Sequence, residues 1–306
     1  MSLLKIKGPN ATVRIFLLLF ISTCLLPVFF SGCEKKAGDL NVLLITVDGM
    51  RSDTMGPKLQ KAAEMPVLDN LWKEGVVFSN TIVAAPYRTP SYSSIFSGLY
   101  PFRHGVRDSE VSFLPGEITT LPELLRKNGY ETGAVVSDAE VESGTGLSQG
   151  FNFYHDDLVP ALAGDGLPWR RNVPNAEAKD VTGKVIGWLD EVRRSSRPWF
   201  LWVQYSDAVP PRDVPSPFRE MYSSNSYDGA LAYVDANMGL IIGKLDDWGI
   251  RKKTLVIITS SHGLALAEHG EASVSKYNYI SSIRVPTVLN LPGRIPAGEE
   301  SPAVIS

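Results

Sequence analysis

"NVLLITVD", Asn41 to Asp48, decides the fold. It is a continuous apolar run with β-branched residues, and it ends on a carboxylate. A strand with one wet face would alternate polar and apolar residues. This one does not, so it reads as a strand buried on both faces of a parallel sheet. Parallel strands need crossover connections, usually helices, and the downstream sequence supplies them. "MPVLDNLWKEG" places Val67, Leu68 and Leu71 at helical spacing and stops at Gly75. "LPELLRKNGY" reads as a short helix stopped by Gly129, and "ETGAVVSD" follows as a strand. "AKDVTGKVIGWLDEVRRS" is a longer amphipathic helix, and "PWFLWVQYSD" is a buried strand. "YDGALAYVDANMGLIIGKLDDWGI" is a long helix with Leu231, Val234, Met238, Ile241 and Leu245 on its apolar side, and "KTLVIITSS" is the next strand. This alternation predicts a three-layer α/β domain on a largely parallel sheet. In such sheets ligands bind beyond the carboxyl ends of the strands. Three strands end in polar groups, at Asp48, at Asp207 and at Ser260-Ser261-His262, and chemistry is expected there.

The chain has 306 residues, 44% apolar and 21% charged, enough for one large domain with a sizeable core. The formal net charge is -3 and the basic residues are scattered, which argues against a nucleic-acid partner. Pro and Gly are spread along the chain, with no low-complexity linker and no internal repeat.

The N-terminus reads as a targeting segment. Lys5, Lys7 and Arg14 precede an apolar run, Ile15 to Phe30, that is short for a membrane span and suits a secretory signal. It leads into Ser31, Gly32 and Cys33, which resembles a bacterial lipobox; a plain signal anchor is the alternative. On the lipobox reading, residues 1–32 are a lipoprotein signal peptide, Cys33 is lipidated, and 33–40 form a short polar tether. Cys24 would leave with the signal, so no structural disulfide forms. The acyl chains would anchor the domain to a membrane without spanning it. The expected location is the bacterial cell envelope, outside the cytoplasm.

"AAPYRTPSYSSIFSGLYPFRHGV", Ala84 to Val106, is Pro-rich, then hydroxyl-rich, then apolar. It reads as an active-site loop running into a helix, with Thr89 or Ser91 as the cap.

Several stretches together resemble the sulfatase family, within the alkaline phosphatase superfamily. "NVLLITVDGMRSD" is similar to its opening, and "MPVLDNLWKEGVVFSN" to the segment that follows. "TPSYSSIFSGLYPFRHGV" is similar to its nucleophile segment, C-x-P-S-R and the helix after it. "YDGALAYVDANMG", "TLVIITSSHG" and "SSIRVPTVLNLPGRIPAG" match three later segments in order. The resemblance covers about Asn41 to Gly298. It implies an alkaline-phosphatase-like domain over 41–306. The family's C-terminal subdomain would be missing, with Val304-Ile305-Ser306 the cut start of a further segment.

The resemblance also implies a chemistry: a divalent cation, usually calcium, held by carboxylates; a nucleophile that is a Cys or Ser oxidised to formylglycine, or a Thr or Ser in phosphatase relatives; cationic residues around the ester oxygens; and a His as general acid. In this sequence Asp48 and His262 fall at metal positions, while the other two carboxylate positions are Gly49 and Ser261. The nucleophile position is occupied by Arg88, which stays protonated, cannot attack and cannot become formylglycine. Thr89 is the nearest hydroxyl and the only candidate nucleophile. The motif Arg is Tyr92, the two histidine positions are Gln204 and Val209, and Asp207 remains. Lys276 lies near a late catalytic position, but the sequence around it has drifted and it reads better as a surface lysine. Asp53 keeps its place, either as part of the site or fixing the loop.

Three readings follow. One is a membrane-anchored sulfatase-family protein with degraded metal and nucleophile sites and little or no hydrolase activity, with Arg88 either an anion site for a sulfate or phosphate ester or a solvated loop residue. Another is an active ester hydrolase using Thr89 and a nonstandard divalent metal site. The third is a truncated, non-functional fragment.

Overall fold

The computed structural model describes residues 40–54, 63–109, 112–157, 175–210, 212–270 and 277–306. The signal segment, Cys33 and Lys276 lie outside the described residues.

In chain order the elements are β1 (Asn41–Val47), α1 (Pro66–Lys73), β2 (Val76–Ile82), α2 (Arg88–Ser97), α3 (Pro101–His104), α4 (Leu121–Lys127), β3 (Glu131–Val135), β4 (Phe153–His155), α5 (Ala178–Val192), β5 (Trp199–Tyr205), α6 (Phe218–Met221), α7 (Ser226–Asp247), β6 (Thr254–Thr259), α8 (Ile280–Ile283), β7 (Arg284–Asn290) and β8 (Glu299–Ile305). The strands form one sheet in the order β4-β3-β5-β1-β6-β7-β2-β8. β1 pairs parallel on both sides, Val42 opposite Phe200 and Leu255. Only β7 runs against its neighbours, β6 and β2. The sheet is therefore largely parallel, as the alternation of elements predicts.

Successive residues of a strand face opposite sides, and the core divides accordingly. Leu43, Ile45 and Val47 join Leu201, Val203 and Tyr205 under α1, α5 and α7, with Leu231, Val234, Met238, Ile241 and Leu245 all buried there. Leu44 joins Phe200 and Trp202 on the opposite face, beneath Tyr92 and Phe96 of α2. Both faces of β1 are apolar because both are covered. The result is helices, sheet, helices in three layers.

The second face holds α2 in position. Tyr92 and Phe96 each pack with ring centroids 4.8 Å from Trp202 of β5. Contacts of this kind contribute about 0.5–1.5 kcal/mol each beyond area burial. They fix the first turn of α2 over the ends of β1 and β5. That turn does not start as the hydroxyl pattern predicts. The N-cap position is Tyr87, with no side-chain cap, and Thr89 and Ser91 lie inside the helix. Ser109 Oγ accepts the Thr89 N–H instead (3.2 Å). The other hydroxyls turn back onto their own helix: Ser93 donates to Thr89 O at 2.7 Å and Ser94 to Pro90 O at 3.1 Å.

β6 delivers Ser260-Ser261-His262 to the same end of the sheet. Its continuation is pressed against the backbone at α8, where Gly263 N donates to Ser282 O at 2.7 Å. A Cβ at Gly263 would stand 2.0 Å from Ser281 O. Gly263→Ala is therefore expected to lower the unfolding free energy by about 1–3 kcal/mol, the usual cost of overpacking a tight site. Urea denaturation checks this, and an unchanged midpoint would mean that the α8 backbone yields freely.

Candidate functional site

Asp48 is the residue after β1, and its N–H donates to Tyr205 O (2.8 Å), extending the β1–β5 pairing by one residue. Its side chain is fully buried. A buried carboxylate without partners would be very costly, and this one has four. Oδ1 accepts from Tyr92 Oη at 2.6 Å and from Ser261 Oγ at 2.5 Å. Oδ2 accepts from Gln204 Nε2 at 2.8 Å and from Arg88 Nε at 3.0 Å. These fill the acceptor sites of a carboxylate. Burial alone would raise the pKa of Asp48. The Arg88 guanidinium and the hydrogen bonds from Ser261 and Tyr92 instead hold it below the ordinary carboxylate value.

Arg88, first residue of α2, is buried, and its guanidinium meets three acids. Besides Nε on Asp48, Nη2 stands 3.3 Å from Asp138 Oδ2 and Nη1 stands 3.3 Å from Glu140 Oε1. Asp138 and Glu140 sit in the turn after β3, and Asp138 Oδ1 caps that turn by accepting the Glu140 N–H (2.8 Å). Burial pushes the Asp138 carboxyl up to about 6, against the pull of Arg88. Arg88 is thus neither a solvated loop residue nor a free cation.

Gln204 of β5 bridges the two segments. Its Oε1 accepts from Ser137 N at 2.7 Å and Ser137 Oγ at 2.9 Å, which leaves Nε2 for Asp48. His262 joins through Ser261, whose Oγ lies 2.8 Å from Nδ1. The single Ser261 proton goes to Asp48, an acceptor only, so His262 must carry its own proton on Nδ1 and donate. Burial lowers its pKa to about 4, so the ring is neutral at pH 7.

Asp48 and His262 are thus brought together, but not as ligands of a common ion. Asp48 has no acceptor site left. Gly49 lies at φ +80°, in the left-handed region, with its would-be Cβ 3.1 Å from Val209 Cγ2, so the backbone there is shaped for glycine. Calcium takes about six to eight oxygens, and the residues present do not fit it. Among the described residues no group of three or more His, Cys, Asp or Glu is arranged to hold a metal ion.

Thr89 is fully buried, and its Oγ1 donates to Glu140 O at 2.6 Å. Asp53 is paired with Arg51 (2.5 Å), which also binds Glu268 and Leu264 O, so Asp53 fixes its own loop. Ser94 and His104 form a Ser–His pair, 3.0 Å apart, that no motif announces. His104 Nδ1 accepts the Val106 N–H (3.1 Å), so in the neutral ring Nε2 carries the proton and donates to Ser94. It cannot act as a base on that hydroxyl.

Asp207 faces elsewhere. Its Oδ1 accepts the Ala178 N–H at the start of α5 (2.9 Å), while Oδ2 is buried without a partner. Together with Arg212 and Tyr233 it lines a separate cavity of about 230 Å³. Burial pushes its carboxyl up to about 7. Sequence reasoning missed the roles of Asp138 and Glu140, because nothing in the stretch that holds them pairs them with Arg88.

The Sulfatase family model matches residues 40–306. The chain is 25% identical to iduronate 2-sulfatase of Mus musculus, a match covering 91% of this chain and 64% of that protein. The chain thus spans less than two thirds of that curated relative's length. In fold it is similar to the phosphonate monoester hydrolase of Agrobacterium radiobacter, with a TM-score of 0.72 and 21% identity over 87% of this chain and 71% of that one. It is also similar to a structure bound to its substrate, D-glucosamine-2-N,6-O-disulfate, with a TM-score of 0.66 and 18% identity over 87% of this chain and 74% of that one.

The raised pKa of Asp207 has a sign that can be tested. The native state keeps a proton that the unfolded chain releases near the ordinary aspartate pKa of about 3.9. That contribution to stability is complete below about pH 4 and is lost as pH rises through about 7. Stability should fall by about 2–3 kcal/mol between pH 5 and pH 8, at about 1.4 kcal/mol per pKa unit. Asp207→Asn retains the Oδ1 acceptor and should remove most of that decline in urea titrations run at each pH.

Proposed function

The chain belongs to the sulfatase family, and from that premise we propose that it is a membrane-anchored member with little or no ester hydrolase activity. One observation carries the reading: at the nucleophile position stands a guanidinium bound to the carboxylate of Asp48. Arginine remains protonated at any working pH, so it neither attacks an ester nor becomes formylglycine. Thr89 offers no substitute, because its hydroxyl is buried and committed to Glu140 O. The general-acid positions hold Gln204 and Val209, and neither side chain titrates. His262 is neutral at pH 7 and holds its proton against Ser261.

The relatives' names supply the ligand class, sulfate and phosphonate esters, sulfated sugars among them. An anionic ester entering at Arg88 in this chain would meet Asp48, Asp138 and Glu140 around a single guanidinium. That arrangement repels further negative charge, so an anionic ligand of this protein would be held away from Arg88. The lipobox-like end at Cys33 supports the anchored part of the reading, a domain held by lipid on a bacterial envelope membrane outside the cytoplasm.

The purified full chain, assayed with 4-nitrophenyl sulfate and 4-nitrophenyl phosphate, with and without added calcium or manganese, should release nitrophenol at the rate of buffer alone. Turnover abolished by Thr89→Val would overturn the reading. Cell fractionation tests the anchor separately. The wild type should sediment with membranes and Cys33→Ala should not; equal behaviour of the two would remove the lipid from the proposal.

A further inference from the structure

We propose that Arg88 is the resident cation of this centre, a tethered guanidinium that takes the place of the divalent ion. The inference deepens the reading of an inactive centre and rests on it only for the absence of catalysis. Three acids from two distant segments converge on one group: Asp48 from the end of β1, Asp138 and Glu140 from the turn after β3. Each addresses a different nitrogen, at 3.0, 3.3 and 3.3 Å. A planar fork with its charge spread over three nitrogens matches such a ring of acids. A bare calcium ion would need oxygens at about 2.3–2.6 Å from a single point, and these oxygens are spaced for something wider.

The pattern of residues agrees with the geometry. The positions whose acids would close around a metal ion carry Gly49 and Ser261. Acids stand instead at 138 and 140, where they close around a guanidinium. Ser261 gives Asp48 a hydrogen bond where an aspartate would add charge. Gly49 occupies a left-handed turn that an aspartate would strain. Arg88 is also held from behind, as the first residue of a helix locked to the sheet by Tyr92 and Phe96. The charge is therefore delivered by the backbone and needs no ion from the medium.

The test uses the full chain in detergent. After treatment with EDTA and dialysis against calcium, magnesium, manganese and zinc in turn, the wild type should carry no stoichiometric ion by elemental analysis. Millimolar additions should leave its melting temperature unchanged. Arg88→Met removes the charge and keeps much of the stem; it should melt about 5–10 °C lower, as expected for breaking a buried ion pair. Millimolar calcium or manganese should recover part of that loss, because the three acids would again need a cation. Arg88→Lys should melt above Arg88→Met. A stoichiometric ion in the wild type would overturn the inference, and so would an Arg88→Met protein that melts like the wild type. Equal melting of the Lys and Met variants, untouched by metal, would assign Arg88 to packing and also overturn it. If Arg88→Met fails to fold, the wild-type ion content decides. An inactive protein with a bound ion would defeat this inference and leave the functional reading intact, while ester turnover in an ion-free protein would do the reverse.

Discussion

A carboxylate with no exposed surface ends the central strand of this sheet, and the rest of the centre is arranged around the need to satisfy it. The donors to Asp48 come from separate parts of the chain: Arg88 and Tyr92 from α2, Gln204 from β5, and Ser261 from the residue pair after β6. Burying one negative charge thus ties the two strands flanking β1 and the helix above them into one unit. Removing a donor would leave a buried acceptor unpaired, a cost well above the net worth of the hydrogen bond itself. The carboxylate is therefore a structural keystone, whatever chemistry surrounds it.

Tyr92 shows how closely core and site are joined. Its ring packs on Trp202, while its hydroxyl donates to Asp48 and lies 2.9 Å from Thr46 Oγ1. Burial beside Asp48 pushes its pKa well up, so the proton needed for that donation stays in place. The phenol therefore serves Asp48 and the apolar layer at once, which a second guanidinium at this position could not do. Thr46 completes the link by accepting from Trp202 Nε1 at 3.0 Å.

The fold was legible because its signals are local. The apolar run of β1, the helical spacing of α7 and the Gly stops at residues 75 and 129 each follow from a few neighbouring side chains. The antiparallel course of β7 carries no such mark, since strand direction depends on the route of the chain between strands. The site was legible where it sits on strand ends, at Asp48 and Ser261-His262. It was illegible where distant segments meet. Nothing in "SDAEV" announces that Asp138 and Glu140 will face Arg88, and a solvated turn would read the same way. Asp207 misleads for a related reason. It follows β5 by two residues as Asp48 follows β1 by one, but it turns to the N-terminus of α5. Which way a strand-end carboxylate turns is decided by the layer that offers donors, and the linear sequence does not record that.

The substitutions at this centre also depend on one another physically. A cysteine in place of Arg88 would restore a nucleophile's atom but leave Asp138 and Glu140 without their cation. An aspartate in place of Ser261 would remove a donor to Asp48 and place a like charge against it unless an ion entered at once. Restoring a histidine at Gln204 would break the bridge to Ser137 and Asp48 together. Each reversal taken alone replaces a satisfied contact with an unpaired charge, and groups that act as a unit yield little when restored singly. Residues 88, 92, 204 and 261 are thus constrained together through Asp48, and residue 49 by its left-handed turn.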